Sequence, residues 1–282
     1  MKKSRLNIAV AQMRFRRTVG ENVSRISEVI HSSAKHGAEV VLFPECAVTG
    51  YNCDFAEVSP SEIGAALQTI ALAARAAGCH VLVGCPTFLG PKRFNSLVVF
   101  GPRGQRVFSY AKIHLTVRDK RFFTAGNKLA FFRVAGVPCT AIICHERRYP
   151  ELVRLPVMMG AKIVFHPNAG LDSLKVSKGK RHGRDGIAVR AFENEVYYAF
   201  ANSVGPQGAG LWSAGDSKIV GPDACVLAQA NNRDESVIQA QLDLSKAGRK
   251  YALEALQRPA FLRRHWLQMV GACKRQLNDK PV

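Results

Sequence analysis

The stretch "TAIICHERRYP", residues 140–150, delivers a cysteine from an apolar run straight into a cluster of charge. Thr140 to Ile143 suit a buried β-strand, Cys144 closes it, and "HERRYP" has the polarity of a loop or helix start. Two other segments share this layout: "VVLFPECAVTGY" (40–51) ends its apolar run at Glu45, and "SYAKIHLT" (109–116) carries Lys112. Ligand sites of open α/β sheets lie beyond the carboxyl ends of strands, so the three residues are expected to converge on one pocket.

Working outward from these segments, the runs "LNIAVAQM", "CHVLVGCPTFL", "FNSLVVFG", "RVFSYAKIHL", "KIVFHPN", "VYYAFANSVG", "DSKIVG", "CVLAQA" and "SVIQAQLDL" also read as strands. Helical patterns lie between several of them. "ENVSRISEVIHSSAKHGA" puts Val23, Ile26, Val29 and Ile30 on one face, with Gly37 as C-cap, and "PSEIGAALQTIALAARAAGC" closes at Gly78. "PELVRLPVMMGA" and "KRHGRDGIAVRAFENE" supply two more, with Pro156 tolerated near the first turn or at a kink. Hairpin-like pairs are expected between 94 and 115 and between 197 and 242. The pattern predicts a mixed sheet, or two stacked sheets, with helices on the outer faces.

No linker interrupts the 282 residues, of which 47% are hydrophobic and 22% charged, so one domain over 1–282 is expected. The polar tail "CKRQLNDKPV" is expected to fray. Eight cysteines spread from Cys46 to Cys273 without regular spacing read as reduced thiols, and no Cys/His spacing suggests a metal. The basic start "MKKSRLNIAVAQM" alternates too much for a signal-peptide core, and no apolar run approaches the roughly 18 residues of a membrane span. A cytoplasmic protein is expected. The net charge of +19 would suit a polyanion, but the 40 Lys and Arg are dispersed and not interleaved with stacking aromatics, so nucleic acid is not the expected partner.

Glutamate, lysine and cysteine form the set that thiol-based amide hydrolysis needs. A thiol of ordinary pKa, ~8.5, is barely ionised at neutral pH. Glu45 can take its proton, while Lys112 can stabilise the thiolate and the oxyanion formed when a carbonyl is attacked. The backbone N–H of His145, at the expected helix start, is a candidate second oxyanion donor. The His145 ring is no base for its neighbour, since adjacent residues of a strand face opposite ways.

With "FPECAVTGY", "KIHL" followed by "FFTAGN", "CHERRYPELVR", "GAKIVFHPNAG", "VRAFENEVYYAFANSVG" and "GDSKIVGPDACVLAQA" in this order, residues 5 to 245 resemble the nitrilase superfamily of carbon-nitrogen hydrolases. The resemblance implies an α/β fold, a four-layer αββα sandwich, and a Glu-Lys-Cys triad needing no metal or organic cofactor. It implies a homodimer, with the extension 246–282, including "ALQRPAFLRRHWLQMV", packing at the interface or folding back on its own subunit. Many members carry a second glutamate seven residues before the glycine of the "FFTAGN" segment. Here that position is Asp119, one methylene shorter.

The resemblance also implies a small linear amide as substrate, cleaved through an acyl-thioester. Glu146, Arg147 and Arg148 are assigned with His145 to substrate or oxyanion binding: the arginines either pair with Glu146 or Glu151 or clamp a substrate carboxylate. Asn168, Ala169, Tyr51 and Trp212 are expected to line the pocket. Specificity is expected in "NCDFAEVSP", "LDSLKVSKGKRHGRDG" and "GPQGAGLW". An N-carbamoyl amino acid amidohydrolase, a nitrilase and an inactive scaffold binding polyanions are the alternatives.

Overall fold

A computed structural model describes residues 3–179 and 186–278 of the chain. The strands are β1 (Arg5–Gln12), β2 (Val40–Leu42), β3 (His80–Leu89), β4 (Lys92–Phe100), β5 (Arg106–Ala111), β6 (Phe132–Val134), β7 (Val137–Ala141), β8 (Ile163–Asn168), β9 (Asp172–Ser173), β10 (Tyr197–Asn202), β11 (Val204–Pro206), β12 (Leu211–Ala214), β13 (Lys218–Val220), β14 (Val226–Gln229) and β15 (Ser236–Asp243). The helices are α1 (Val19–Lys35), α2 (Pro60–Ala77), α3 (Glu151–Met159), α4 (Leu174–Gly179), α5 (Ile187–Phe192), α6 (Lys250–Ala255) and α7 (Ala260–Asn278). The strands form two mixed six-stranded sheets, β15-β1-β2-β3-β4-β5 and β14-β13-β10-β8-β7-β6, plus a small sheet β11-β12-β9.

Alternation along the strands builds the layers. Leu6, Ile8 and Val10 of β1 face the second sheet, where they meet Ile163 and Phe165 of β8 and Tyr197 and Ala199 of β10. Ala9 and Ala11, on the alternate positions, face outward and are covered by Val23, Ile26 and Ile30 of α1 and Ile63 and Ile70 of α2. The outer face of the second sheet, with Val164 and Tyr198, is covered by Leu152 and Val153 of α3, Ile187 of α5, Ala252 of α6 and Val270 of α7. The order is helices, sheet, sheet, helices, the expected αββα sandwich. Each large aliphatic side chain in these layers contributes about 1.5–3 kcal/mol by leaving water.

Local signals explain the helix ends. Thr18 caps α1 in a reciprocal capping box with Glu21, and α2 starts at Ser59-Pro60 and ends on Gly78 in the left-handed region. The C-cap of α1 is His36, with Gly37 one residue beyond at φ 82°. Pro156 is the sixth residue of α3, past the first turn. Of the helix read from "KRHGRDGIAVRAFENE", residues 180–185 lie outside the described residues, and Ile187–Phe192 form α5. The tail is helical to Asn278, with 279–282 likewise outside. Short β6, β9, β12 and α4 were not anticipated. The C-terminal segment lies back on its own subunit, with Trp266 and Val270 packed in the α3 layer, while Phe261, Leu267 and Met269 stay exposed. No helix among the described residues is long and apolar enough to cross a membrane.

Candidate active site

Glu45, Lys112 and Cys144 meet where β2, β5 and β7 run out. Lys112 is 1% exposed, and its Nζ donates to Glu45 Oε1 and to Asp119 Oδ2, both at 2.8 Å. The shorter carboxylate therefore reaches the lysine. A 3-10 turn over Asp119–Arg121 starts at the aspartate, whose Oδ2 also accepts from the Thr116 N–H at 3.0 Å while Thr116 Oγ1 accepts from its N–H. With two of the three ammonium protons committed, the third remains for the thiolate or an oxyanion.

The backbone holds these side chains from both directions. The Lys112 N–H donates to Asn95 O and its carbonyl accepts from the Gly126 N–H, both at 2.8 Å. Gly126 must be glycine, because a Cβ there would sit 2.2 Å from the Ala111 carbonyl oxygen. At Gly84 of β3 a Cβ would come within 2.4 Å of Pro44 O and 2.5 Å of Cys46 N, so its absence lets the Glu45 loop lie against the strand. Glu45 is 1% exposed: Oε1 also accepts from Asn95 Nδ2 at 2.8 Å, and Oε2 accepts from the Ala169 N–H at 3.1 Å. Asn95 Nδ2 further donates to Tyr51 OH at 3.0 Å. Asn95 and Gly84 escaped the sequence reading. The signal for Asn95 was a polar residue inside the apolar run of β4, where it is fully buried.

Cys144, unlike its two partners, is partly exposed as a residue, although its thiol is itself shielded from water. Its backbone is in the left-handed region, φ 51°, a conformation unusual for a non-glycine residue and often found at functional sites. Burial, then the negative charge of Glu45, pushes the thiol up to about 12, against the pull of Lys112. At rest it carries its proton beside a carboxylate able to take it. Burial alone would lower the Lys112 ammonium, but Glu45, Cys144 and Asp119 outweigh it and hold the pKa well above the lysine range.

Cys144 opens a 3-10 turn, Cys144–Arg148, and α3 begins only at Glu151; His145 is therefore not at an α-helix N-terminus as expected. Its N–H still follows the nucleophile directly, and no acceptor among the described residues takes it. Glu146 corrects the sequence reading. It is 0% exposed and, among the described residues, pairs with neither arginine: Oε1 accepts from the Ile113 and His114 N–H groups at 2.7 and 3.2 Å, and Oε2 from the Ile143 N–H at 2.7 Å. Tyr110 OH lies 2.9 Å from both oxygens. This carboxylate ties the Lys112 segment to the Cys144 turn.

Asn168 lies at the end of β8. Its buried side-chain amide is 2.7 Å from that of Asn202, bracing the turn that presents the Ala169 N–H to Glu45. Tyr51 and Ala169 belong to the Glu45 network. Trp212 lies outside it, on the small sheet, its carbonyl accepting from Ser177 Oγ at 2.9 Å. Arg148 is exposed and Arg147 partly so, and no carboxylate among the described residues pairs with either. The His145 imidazole is held below its usual pKa by burial and then by the charges of Lys112, Arg148 and Arg147, which marks a positive field at that ring. A surface groove of about 740 Å³ beside α1 and α2, lined by Val23, Ser27, His31 and Thr69 among others, contains none of these residues.

A buried Glu-Lys pair behind a partly open cysteine at the end of an αββα sandwich defines a thiol-dependent hydrolase. The carbon-nitrogen hydrolase family profile matches residues 7–251, and the chain belongs to that family. It is 33% identical over 234 residues to a nitrilase of Pyrococcus abyssi, covering 79% of this chain and 84% of that protein. It is 27% identical over 235 residues to a 2-oxoglutaramate amidase of Bacillus subtilis, covering 80% and 86%. Among solved structures it is similar to an amidase from Nesterenkonia sp., with a TM-score of 0.80 and 26% identity over 94% of this chain and 98% of that one. A glutamate variant of that amidase carries the acetamide moiety of fluoroacetamide on its active-site cysteine.

Proposed function

We propose that this carbon-nitrogen hydrolase cleaves small linear amides that carry a carboxylate, through an acyl-thioester on Cys144. The observation that carries the chemistry is Lys112 Nζ held at 2.8 Å from both Glu45 and Asp119 behind the cysteine. Glu45 accepts the thiol proton as sulfur bonds to the amide carbon, and the carbonyl π pair becomes an oxyanion facing Lys112 and the His145 N–H. Collapse of that intermediate breaks the C–N bond, and Glu45 returns its proton to the departing ammonia or amine. Glu45 next takes a proton from water as its oxygen attacks the thioester. Collapse then breaks the C–S bond, freeing the acid, and the proton returns to sulfur.

Preference for an anionic amide is supported by the positive field at His145 and by Arg147 and Arg148, three and four residues past the nucleophile with no carboxylate partner among the described residues. The 2-oxoglutaramate amidase among the relatives acts, by its name, on an anionic amide. An N-carbamoyl amino acid fits the same arginines and is the second reading. Eight free thiols suit a reducing, cytoplasmic compartment, and the exposed Phe261, Leu267 and Met269 of α7 suit a homodimer contact.

Intact mass spectrometry with a panel of neutral amides, carboxylate-bearing amides and N-carbamoyl amino acids tests this reading. The expected result is an acyl adduct on Cys144 from the anionic amides, with none in Cys144→Ala. Ammonia release at equal rates from Cys144→Ala and the wild type would sink it.

A further inference from the structure

His166 is a buried ionisable side chain that the reaction above does not use. It stands on β8, 0% exposed, pointing into the outer layer beside Phe200 with ring centroids 4.9 Å apart. Its Nε2 lies 3.1 Å from the carbonyl oxygen of Cys144, and Tyr198 OH, also fully buried, lies 3.0 Å from Nδ1. A carbonyl only accepts, so Nε2 carries the hydrogen, and the neutral ring then accepts at Nδ1 from the tyrosine. Tyr198 therefore selects the tautomer that donates to the nucleophile's own peptide group.

That peptide group has two ends. In a trans peptide the C=O and the next N–H point in opposite directions. Holding the Cys144 carbonyl toward His166 turns the His145 N–H the other way and polarises it as a donor. Cys144 is left-handed, φ 51°, and the 3-10 turn behind it anchors Glu146 N and Tyr149 N but not His145 N. The bond to His166 thus restrains a peptide plane that the turn's own ladder leaves unheld.

We propose that His166, oriented by Tyr198, is a positioning residue: it fixes the Cys144 carbonyl and thereby aims the His145 N–H at the oxyanion. This rests on the amide-hydrolase reading. The His145 ring contributes no proton in this scheme, and His166 touches no reacting atom.

The test separates oxyanion stabilisation from thiol reactivity. Alkylation of Cys144 by iodoacetamide displaces iodide at a saturated carbon and forms no oxyanion, whereas acylation by an amide does. In His166→Phe, single-turnover acylation is expected to fall about 30-fold or more, KM to stay within about threefold and alkylation within about twofold, since losing an oxyanion donor outright costs about 10²–10³. His166→Gln, which can still donate, is expected to recover acylation to within about fivefold of the wild type, and Tyr198→Phe to lose about three- to tenfold. Unchanged acylation in His166→Phe, equal losses of acylation and alkylation, or no rescue by glutamine would each overturn the proposal. If His166→Phe does not fold, Tyr198→Phe decides: slower acylation with normal alkylation supports it, any other result overturns it. A wild-type enzyme that is alkylated but acylated by no amide refutes the amidase reading, and this inference with it.

Discussion

Two buried glutamates, Glu45 and Glu146, stand within one site and are held in opposite ways. Both are about as inaccessible as a side chain can be, 1% and 0% exposed. Glu45 spends Oε1 on Lys112 and Asn95 and gives Oε2 a single backbone donor, so it retains acceptor capacity beside a thiol. Glu146 is saturated: three backbone N–H groups and a tyrosine hydroxyl surround it, and no ion pair joins it among the described residues. Burial still pushes its carboxyl upward, with those donors pulling the other way. A carboxylate that is to exchange protons needs a vacancy and a cation, while one that welds two loops together needs every lone pair occupied.

The largest effect that this contrast predicts is on chemistry. Glu45→Gln is expected to reduce amide acylation by about 10³-fold, near the range for loss of a general acid and base. Its stability should change little: Glu45, Lys112 and Asp119 together carry net charge −1, and the variant leaves Lys112 paired with Asp119. Because the Glu45 charge helps raise Cys144 to about 12, removing it should lower that pKa, so thiolate forms at lower pH. The pH profile of iodoacetamide alkylation should shift downward while amide acylation is lost. A profile shifted upward, or acylation above a tenth of wild type, would break the distinction.

Glu146→Gln should do the reverse. A glutamine presents an NH2 to backbone donors that now meet a carboxylate oxygen, leaving one or two buried N–H groups unpaired. A loss of about 2–4 kcal/mol in urea unfolding is expected at ~1–3 kcal/mol for each such group. Turnover should fall less than in Glu45→Gln, through a looser Lys112 segment. Full stability with abolished acylation would show that Glu146 takes part in the chemistry.

The convergence of Glu45, Lys112 and Cys144 was legible because each lies at the end of an apolar run, and the sandwich was legible because period-two alternation in β1, β3, β4, β8 and β10 marks two faces at once. β6, β9 and β12, at three, two and four residues, are too short to carry a period. The charges of "HERRYP" suit a loop or a helix start equally, and the positive φ of Cys144 and the inward turn of Glu146 place a 3-10 turn before the helix. Nothing local marks Glu146 as buried: its donors Ile113 and His114 lie about thirty positions earlier in the chain. Likewise the Asn168 amide finds Asn202 only once β8 and β10 pair.

Asp119 combines the two roles and gives the smallest and most diagnostic effect. Its Oδ2 serves the lysine and also the Thr116 N–H, so it both balances charge and closes a turn. Asp119→Asn keeps the shape and one acceptor oxygen but removes the charge. Lys112 would then answer to Glu45 alone, and the pair would be electrically neutral before the thiolate forms. The thiolate should thus be easier to form, while the ammonium, held from one side only, should be less well aimed at the oxyanion. The expected outcome is about a tenfold fall in kcat with KM little changed, since an interaction made mainly in the transition state is weakened. Stability should drop by about 1.5–3 kcal/mol, the scale of one hydrogen bond to a charged group. Stopped-flow acylation and urea unfolding on the same preparation measure both. A loss as deep as that of Glu45→Gln would place Asp119 beside Glu45 as a proton carrier, and a loss of stability alone would place it with Glu146.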